Sequence, residues 1–239
     1  MQYTNLQLQK QINRPGKTGV DWFIYFCLIR NYKNEPMCDV GAGAGGSTFP
    51  MLDFSDDVTI VDNWQQGWTK ESLLDQLLEG DHKKITFVDK STDELKPKHL
   101  KTYKLTHLDA DKTSGATLNT LRKFSKITEE IIVIDDYMNS VWPEVTEGVD
   151  AFIRDELNWR KLILGNHQLV LIKRGVAVNI DYILYHLPVI QHTNYWGLTY
   201  GEFQPQKILD SMIENAKLTY SWHKVMNQSE SYDSWLCLN

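Results

Sequence analysis

An α/β fold, with a mostly parallel seven-stranded sheet and an antiparallel last strand, is the architecture this sequence predicts. Three observations point to it. Short apolar or β-branched runs alternate with longer stretches of helical spacing, the pattern of a parallel sheet covered on both faces. One run, Ile131-Ile132-Val133-Ile134, has no polar face, as a central parallel strand requires. The last two runs flank Gly165-Asn166-His167-Gln168 and read as a hairpin, which introduces the antiparallel strand.

In chain order, Val20 to Tyr32 is apolar and aromatic with interspersed polar residues, and reads as a helix. Pro36 to Val40 is a short strand that runs into a glycine cluster. The next strands are Val58 to Val61, Lys84 to Val88, Thr102 to Leu108 and Ile131 to Ile134. Leu118, Leu121 and Phe124 recur at helical spacing, as do Val145, Val149, Phe152, Ile153 and Leu157. Pro143 suits a first helical turn, where its missing N–H costs nothing, and Glu144 and Glu147 favour the positive end of that helix. Arg160 to Leu164 and Leu169 to Lys173 complete the sheet. This reading closes a first domain, 1–175. The 64 residues of 176–239 form an aromatic-rich C-terminal extension, with Tyr182, Tyr195, Trp196, Trp222 and Trp235 among them, too aromatic for a disordered tail. It is expected to pack on the domain, cap the site or make a homo-oligomer contact.

Composition narrows the function classes. The chain of 239 residues carries 25 basic and 31 acidic side chains, a net charge of −6, so a broad basic face and a nucleic-acid partner are not expected. The most apolar stretch, Val20 to Ile29, is too short to span a bilayer, and the polar N-terminus does not read as a signal peptide. No membrane partner and a cytoplasmic location follow as expectations. Cys27, Cys38 and Cys237 have no metal or redox spacing, and their odd number agrees with a reducing compartment.

The glycine cluster Asp39-Val-Gly41-Ala42-Gly43-Ala-Gly45-Gly46-Ser47 follows a strand and opens a helix. Such a loop turns sharply, admits a ligand to the backbone and offers free N–H groups beyond it. Asp62 ends the next strand, 21 residues after Gly41, and suits a pair of ribose hydroxyls. Together they predict a nucleoside ligand. Asp39 selects among nucleosides: a carboxylate there repels a pyrophosphate but attracts the ammonium of a methionine moiety, which favours S-adenosylmethionine over NAD.

A second constellation is acidic. His107-Leu-Asp109-Ala-Asp111-Lys112 ends the fourth strand and Ile134-Asp135-Asp136-Tyr137 ends the fifth. Neighbouring parallel strands bring such ends to the crevice where open α/β sheets bind ligands. Converging carboxylates repel unless a cation intervenes, and Mg²⁺ or another divalent cation with oxygen ligands is the natural neutraliser. Lys112 is a candidate general base if metal and burial lower its pKa. His107 reads as a hydrogen-bonded structural histidine.

Asp-x-Gly-x-Gly, an acidic second strand end, Asp-Ala-Asp and then Asp-Asp-Tyr, in that order, resemble class I S-adenosylmethionine-dependent methyltransferases. Asp135-Asp136-Tyr137 followed by Trp142-Pro143-Glu-Val-Thr-Glu-Gly-Val149-Asp-Ala-Phe152 is similar to the macrocin O-methyltransferase family. Asp109-Ala-Asp111-Lys112 is similar to the catechol and caffeoyl-CoA O-methyltransferases as well. The resemblance covers about residues 17 to 174 and implies a Rossmann-like class I methyltransferase fold. It implies metal ligation by Asp109, Asp135 and Asp136, and a general base in Lys112 or Asp109. It further implies cofactor contacts from Asp39, Gly41, Ala42, Gly43, Asp62, Asp89, Ser91 and Asp109, Asp89-Lys-Ser91 lying near the adenine. The implied activity is metal-dependent methyl transfer to a hydroxyl of a small molecule, a sugar or a phenol. The alternatives are an NAD-dependent oxidoreductase, which the Gly41/Gly43/Gly46 match permits, and a non-catalytic binding protein on the same fold.

Overall fold

A computed structural model describes Tyr25, Leu28, Ile29 and residues 31–65, 67–110, 112–163 and 168–178. Asp111, Cys27, Cys237, the hairpin turn at 165–167 and the extension beyond Val178 lie outside the described residues. Among the described residues the strands are β1 (Met37–Val40), β2 (Val58–Asp62), β3 (Ile85–Asp89), β4 (Tyr103–Leu108), β5 (Thr128–Ile134), β6 (Trp159–Ile163) and β7 (Leu169–Lys173). The helices are α1 (Thr48–Phe54), α2 (Lys70–Leu74), α3 (Ser114–Phe124) and α4 (Pro143–Asp155).

The strands form one seven-stranded sheet in the order β3-β2-β1-β4-β5-β7-β6. β1 to β5 are parallel, and β7 runs antiparallel to both β5 and β6. The hairpin expected from the last two apolar runs is therefore present. The fifth strand begins earlier than its apolar run suggests, at Thr128, because the Thr128 hydroxyl finds a buried partner in Thr106 on β4, 2.7 Å away.

Alternation along the strands builds a core on each face. Met37, Ile131, Val133, Val170 and Ile172 point to one side, where Tyr25, Leu28, Phe49, Met51 and Leu73 cover them. Cys38, Val40, Ile132, Ile134, Leu169 and Leu171 point to the other, under Leu121, Phe124, Val145, Val149 and Phe152. The helical spacing of those last five is thus the stripe with which α3 and α4 cover the sheet. Leu157 departs from it. The helix stops at Asp155, Glu156 takes a non-helical backbone, and Leu157 is exposed beyond the end.

Strand order reverses between β1 and β4, since β2 and β3 continue to one side and β5 to the other. The carboxyl ends there are tied level by backbone bonds: Gly41 N–H to Val61 O, Asp109 N–H to Val40 O and Asp135 N–H to Leu108 O, at 2.9, 2.8 and 3.0 Å. The two motif-bearing segments meet at this switch point, where open sheets form their ligand crevice.

Candidate active site

A cavity of about 510 Å³ opens at these strand ends, within the roughly 300–1,000 Å³ usual for small-molecule sites. Gly41, Ala42, Gly43 and Gly46 line it from the glycine loop, Asp62 from β2, Lys90 and Ser91 from the end of β3, and Asp109, Lys112, Asp135 and Asp136 from the ends of β4 and β5. The loop and the acidic cluster predicted from sequence therefore share one space.

Gly41 is required by its neighbour. Its φ is +83°, and a Cβ on it would lie 2.3 Å from the carbonyl oxygen of Asp109. Any side chain there pushes the loop away from the end of β4. Asp62 ties the loop from the other side: one carboxylate oxygen accepts the Gly43 N–H at 3.0 Å and the other accepts the Trp64 N–H at 2.7 Å. Each oxygen keeps a further lone pair for a ligand hydroxyl.

The structure places Asp39 beneath the loop rather than in the cavity lining. It is wholly buried and does not line the cavity. Its carboxylate accepts Ser47 Oγ–H at 2.8 Å and Thr48 Oγ1–H at 2.5 Å, and it pairs with His107 Nδ1 at 2.9 Å. Burial raises its pKa, but the bonds from His107, Thr48 and Ser47 outweigh burial and hold it below the usual carboxylate value. Asp39 thus holds the far end of the glycine loop through Ser47 and Thr48. The sequence carried a signal for this. Asp39 and His107 stand opposite each other in the β1–β4 register, and two hydroxyl residues close the loop. Tyr25 completes the enclosure, its ring centroid 5.1 Å from that of His107 and its hydroxyl donating to Ser47 O at 3.0 Å.

Asp89 is likewise not among the lining residues. Its carboxylate accepts Trp64 Nε1–H at 3.0 Å and pairs with Lys70 at 2.7 Å, outside the cavity wall, while Ser91 does line it. Residues that sequence reasoning missed are Asn63, Trp64, Trp68 and Thr92. All sit on loops after β2 and β3, and the Trp68 indole lies where a Gly43 side chain would come into van der Waals contact, 3.5 Å from the position of its Cβ.

Also in the cavity wall, the Lys112 ammonium donates to Asp109 Oδ1 and to Asp136 Oδ2, and Asn139 Nδ2 donates to Asp136 Oδ1 at 2.7 Å. Burial would lower the Lys112 pKa, but Asp109 and Asp136 more than offset it and hold the amine protonated. This direction is the reverse of the depression expected of a lysine base. The three aspartates offer hard oxygen donors of the kind a divalent cation prefers. Two of them, however, close on Lys112, and among the described residues no three acidic, histidine or cysteine side chains gather as a metal cage. In this arrangement the resident positive charge is the ammonium.

No family model matches the sequence, and no curated protein does. Solved structures do match the shape. A candidate O-methyltransferase from Klebsiella pneumoniae aligns over 72% of this chain and 91% of its own, with a TM-score of 0.55 and 14% identity. The O-methyltransferase TomG from Streptomyces achromogenes, solved in complex with SAM, aligns over 64% and 79% with a TM-score of 0.50 and 14% identity. An rRNA methylase from Streptococcus thermophilus aligns over 63% and 94%, also at 0.50 and 14%. The fold is that of the class I methyltransferases. Among the described residues of this methyltransferase fold, no helix is long and apolar enough to cross a membrane.

Proposed function

We propose that the protein is an S-adenosylmethionine-dependent methyltransferase that acts on a hydroxyl of a small molecule. One observation carries this reading: a single cavity is lined both by the glycine loop with Asp62 and by the Asp109–Lys112–Asp136 cluster. The first group has the features of a nucleoside site. The second has a proton acceptor and a fixed positive charge, which an alcohol needs in order to become a nucleophile. The negative net charge favours a small acceptor over a nucleic acid.

When bound, S-adenosylmethionine supplies an electrophilic methyl group and leaves as S-adenosylhomocysteine. The chain does the rest. Gly41 lets the backbone approach the ligand, and Asp62 accepts from the ribose hydroxyls. Lys112 stabilises the negative charge that develops on the acceptor oxygen as its bond to the methyl carbon forms. Asp109 takes the hydroxyl proton. Holding the two reacting atoms in line supplies much of the rate. A divalent cation at Asp109, Asp135 and Asp136 has no step in this scheme, because Lys112 occupies the space between two of those carboxylates.

Calorimetry with S-adenosylmethionine and S-adenosylhomocysteine tests the reading. Micromolar binding, about −8 kcal/mol, that weakens at least tenfold in Asp62→Ala is the expected result. Absence of binding by both ligands would sink it. Turnover is expected to survive EDTA; turnover that stops with EDTA and returns with Mg²⁺ would restore the metal and displace Lys112 from its role.

A further inference from the structure

Two tryptophans on the loop after β2 line the cavity, and they are held in different ways. Trp64 is pinned. Its backbone N–H donates to Asp62 Oδ1 at 2.7 Å and its indole N–H to Asp89 Oδ1 at 3.0 Å. Its ring lies 6.3 Å from that of Phe87 and packs on the core. Among the described residues the Trp68 indole has neither a hydrogen-bond partner nor a neighbouring ring. It is 47% exposed and lies in the cavity wall.

Backbone, rather than side-chain bonds, sets the place of Trp68. Gly67, just before it, has φ +84°. Thr69, just after it, caps α2: its Oγ1 accepts the Ser72 N–H at 3.1 Å and its own N–H donates to Ser72 Oγ at 3.3 Å. Between these two fixed points the indole comes to lie against the glycine loop. Its Cδ1 and Nε1 are 3.5 and 3.9 Å from the position a Gly43 Cβ would take. An indole with nearly half its surface in water stabilises the fold little for its size.

The stretch Gly41–Gly43 joins the two groups of residues that share the cavity. Gly43 N–H is accepted by Asp62 at 3.0 Å, and Gly41 abuts the carbonyl of Asp109. A nucleoside donor with its ribose at Asp62 and its methyl group toward Asp109 carries its sulfur between them, along this stretch. That sulfur is a sulfonium, a permanent cation with no N–H or O–H to donate. The carboxylates near it are already engaged: Asp62 with two backbone N–H groups, Asp109 and Asp136 with Lys112. An indole attracts such a cation through its π electrons, and does so better than the other aromatic rings.

Resting on the methyl-transfer reading, we infer that Trp68 reads the charge on the ligand's sulfur, so that it favours the sulfonium donor over the neutral thioether product. Transfer breaks the bond from sulfur to the methyl carbon and leaves its electron pair on sulfur. The methyl carbon bonds to the acceptor oxygen, whose proton passes to Asp109. The sulfur is then uncharged, and Trp68 has lost what it attracted. The residue thus helps to load the donor and to let the product go.

Calorimetry on the full chain without acceptor tests this with three ligands. They are S-adenosylmethionine, S-adenosylhomocysteine and sinefungin, in which a protonated amine replaces the methylsulfonium. Trp68→Leu keeps apolar bulk and removes the π face. It is expected to raise Kd for S-adenosylmethionine and sinefungin about tenfold, the size of a partly desolvated cation–π contact. Kd for S-adenosylhomocysteine is expected to stay within about twofold, which also reports an intact site. Trp68→Phe retains a weaker face and is expected to fall between, at about threefold for the two cations. Equal weakening of all three ligands means that the indole only packs, and overturns the inference. So does a Kd for S-adenosylmethionine that Trp68→Leu leaves within twofold of wild type. If Trp68→Leu does not fold, Trp68→Phe decides: parallel changes for S-adenosylmethionine and S-adenosylhomocysteine overturn the inference. Failure of the wild-type chain to bind any of the three is a different result and overturns the underlying methyl-transfer reading instead.

Discussion

Two carboxylate clusters stand a few residues apart on adjacent strands and do opposite work. Asp39 on β1 is fully buried, and its partners His107, Ser47 and Thr48 enclose it. Asp109 and Asp136, at the ends of β4 and β5, keep a third and a fifth of their side-chain surface open and share one lysine inside the cavity. The residue type is the same, although the register sets Asp39 level with His107, two residues below Asp109. Access differs. A carboxylate whose lone pairs are spent on the protein holds structure, whereas one that faces an open cavity opposite a cation remains available to a reactant.

The largest effect that separates the two is expected in stability. Asp39→Ala leaves two hydroxyls and an imidazole without their common acceptor, which costs about 3–5 kcal/mol. Urea unfolding reads this as a lower midpoint at constant slope. A loss below 1 kcal/mol would mean that the buried cluster is not the brace described. Next comes Lys112→Met, expected to lower kcat/KM for a methyl acceptor by roughly 10²–10³-fold while moving stability by about 1 kcal/mol or less. If this variant unfolds as readily as Asp39→Ala, the two clusters share one structural role and the distinction fails.

The smallest effect is in acid. The folded chain holds the Asp39 carboxyl below its ordinary value, so its contribution to stability is complete above the unfolded carboxylate value of about 3.9. It drains away as pH falls through the lower, folded value. Asp39→Asn therefore flattens the fall in the urea midpoint below about pH 4. A wild-type slope retained in Asp39→Asn would show that this carboxyl is not ionised in the interior.

Much of the fold was legible because the strands are buried on both faces. Ile131–Ile134 and Leu169–Ile172 read as continuous apolar runs, and the hairpin between the last two strands followed from their spacing. The glycine loop and Asp62 were legible because a tight loop and a carboxylate at a fixed distance leave a local mark. The partners of Asp39 were not legible, because the sequence shows where it sits on the strand but not whether its oxygens are already taken; that answer lies 68 residues away at His107. The same holds for Asp89, whose partners are Trp64 and Lys70. Trp64 and Trp68 were missed because loop residues have no periodicity to betray which way they face. Lys112 lines the cavity, and its pKa direction depends on which carboxylates close on it in space, which the sequence does not show.

The contact between Gly41 and the carbonyl of Asp109 has a mechanical consequence. With 2.3 Å between that oxygen and the place of a missing methyl, the two strand ends have no slack and behave as a gauge block. A side chain at position 41 would have to move either the glycine loop or the end of β4, so the close fit between these two segments of the cavity wall depends on the absence of that one carbon.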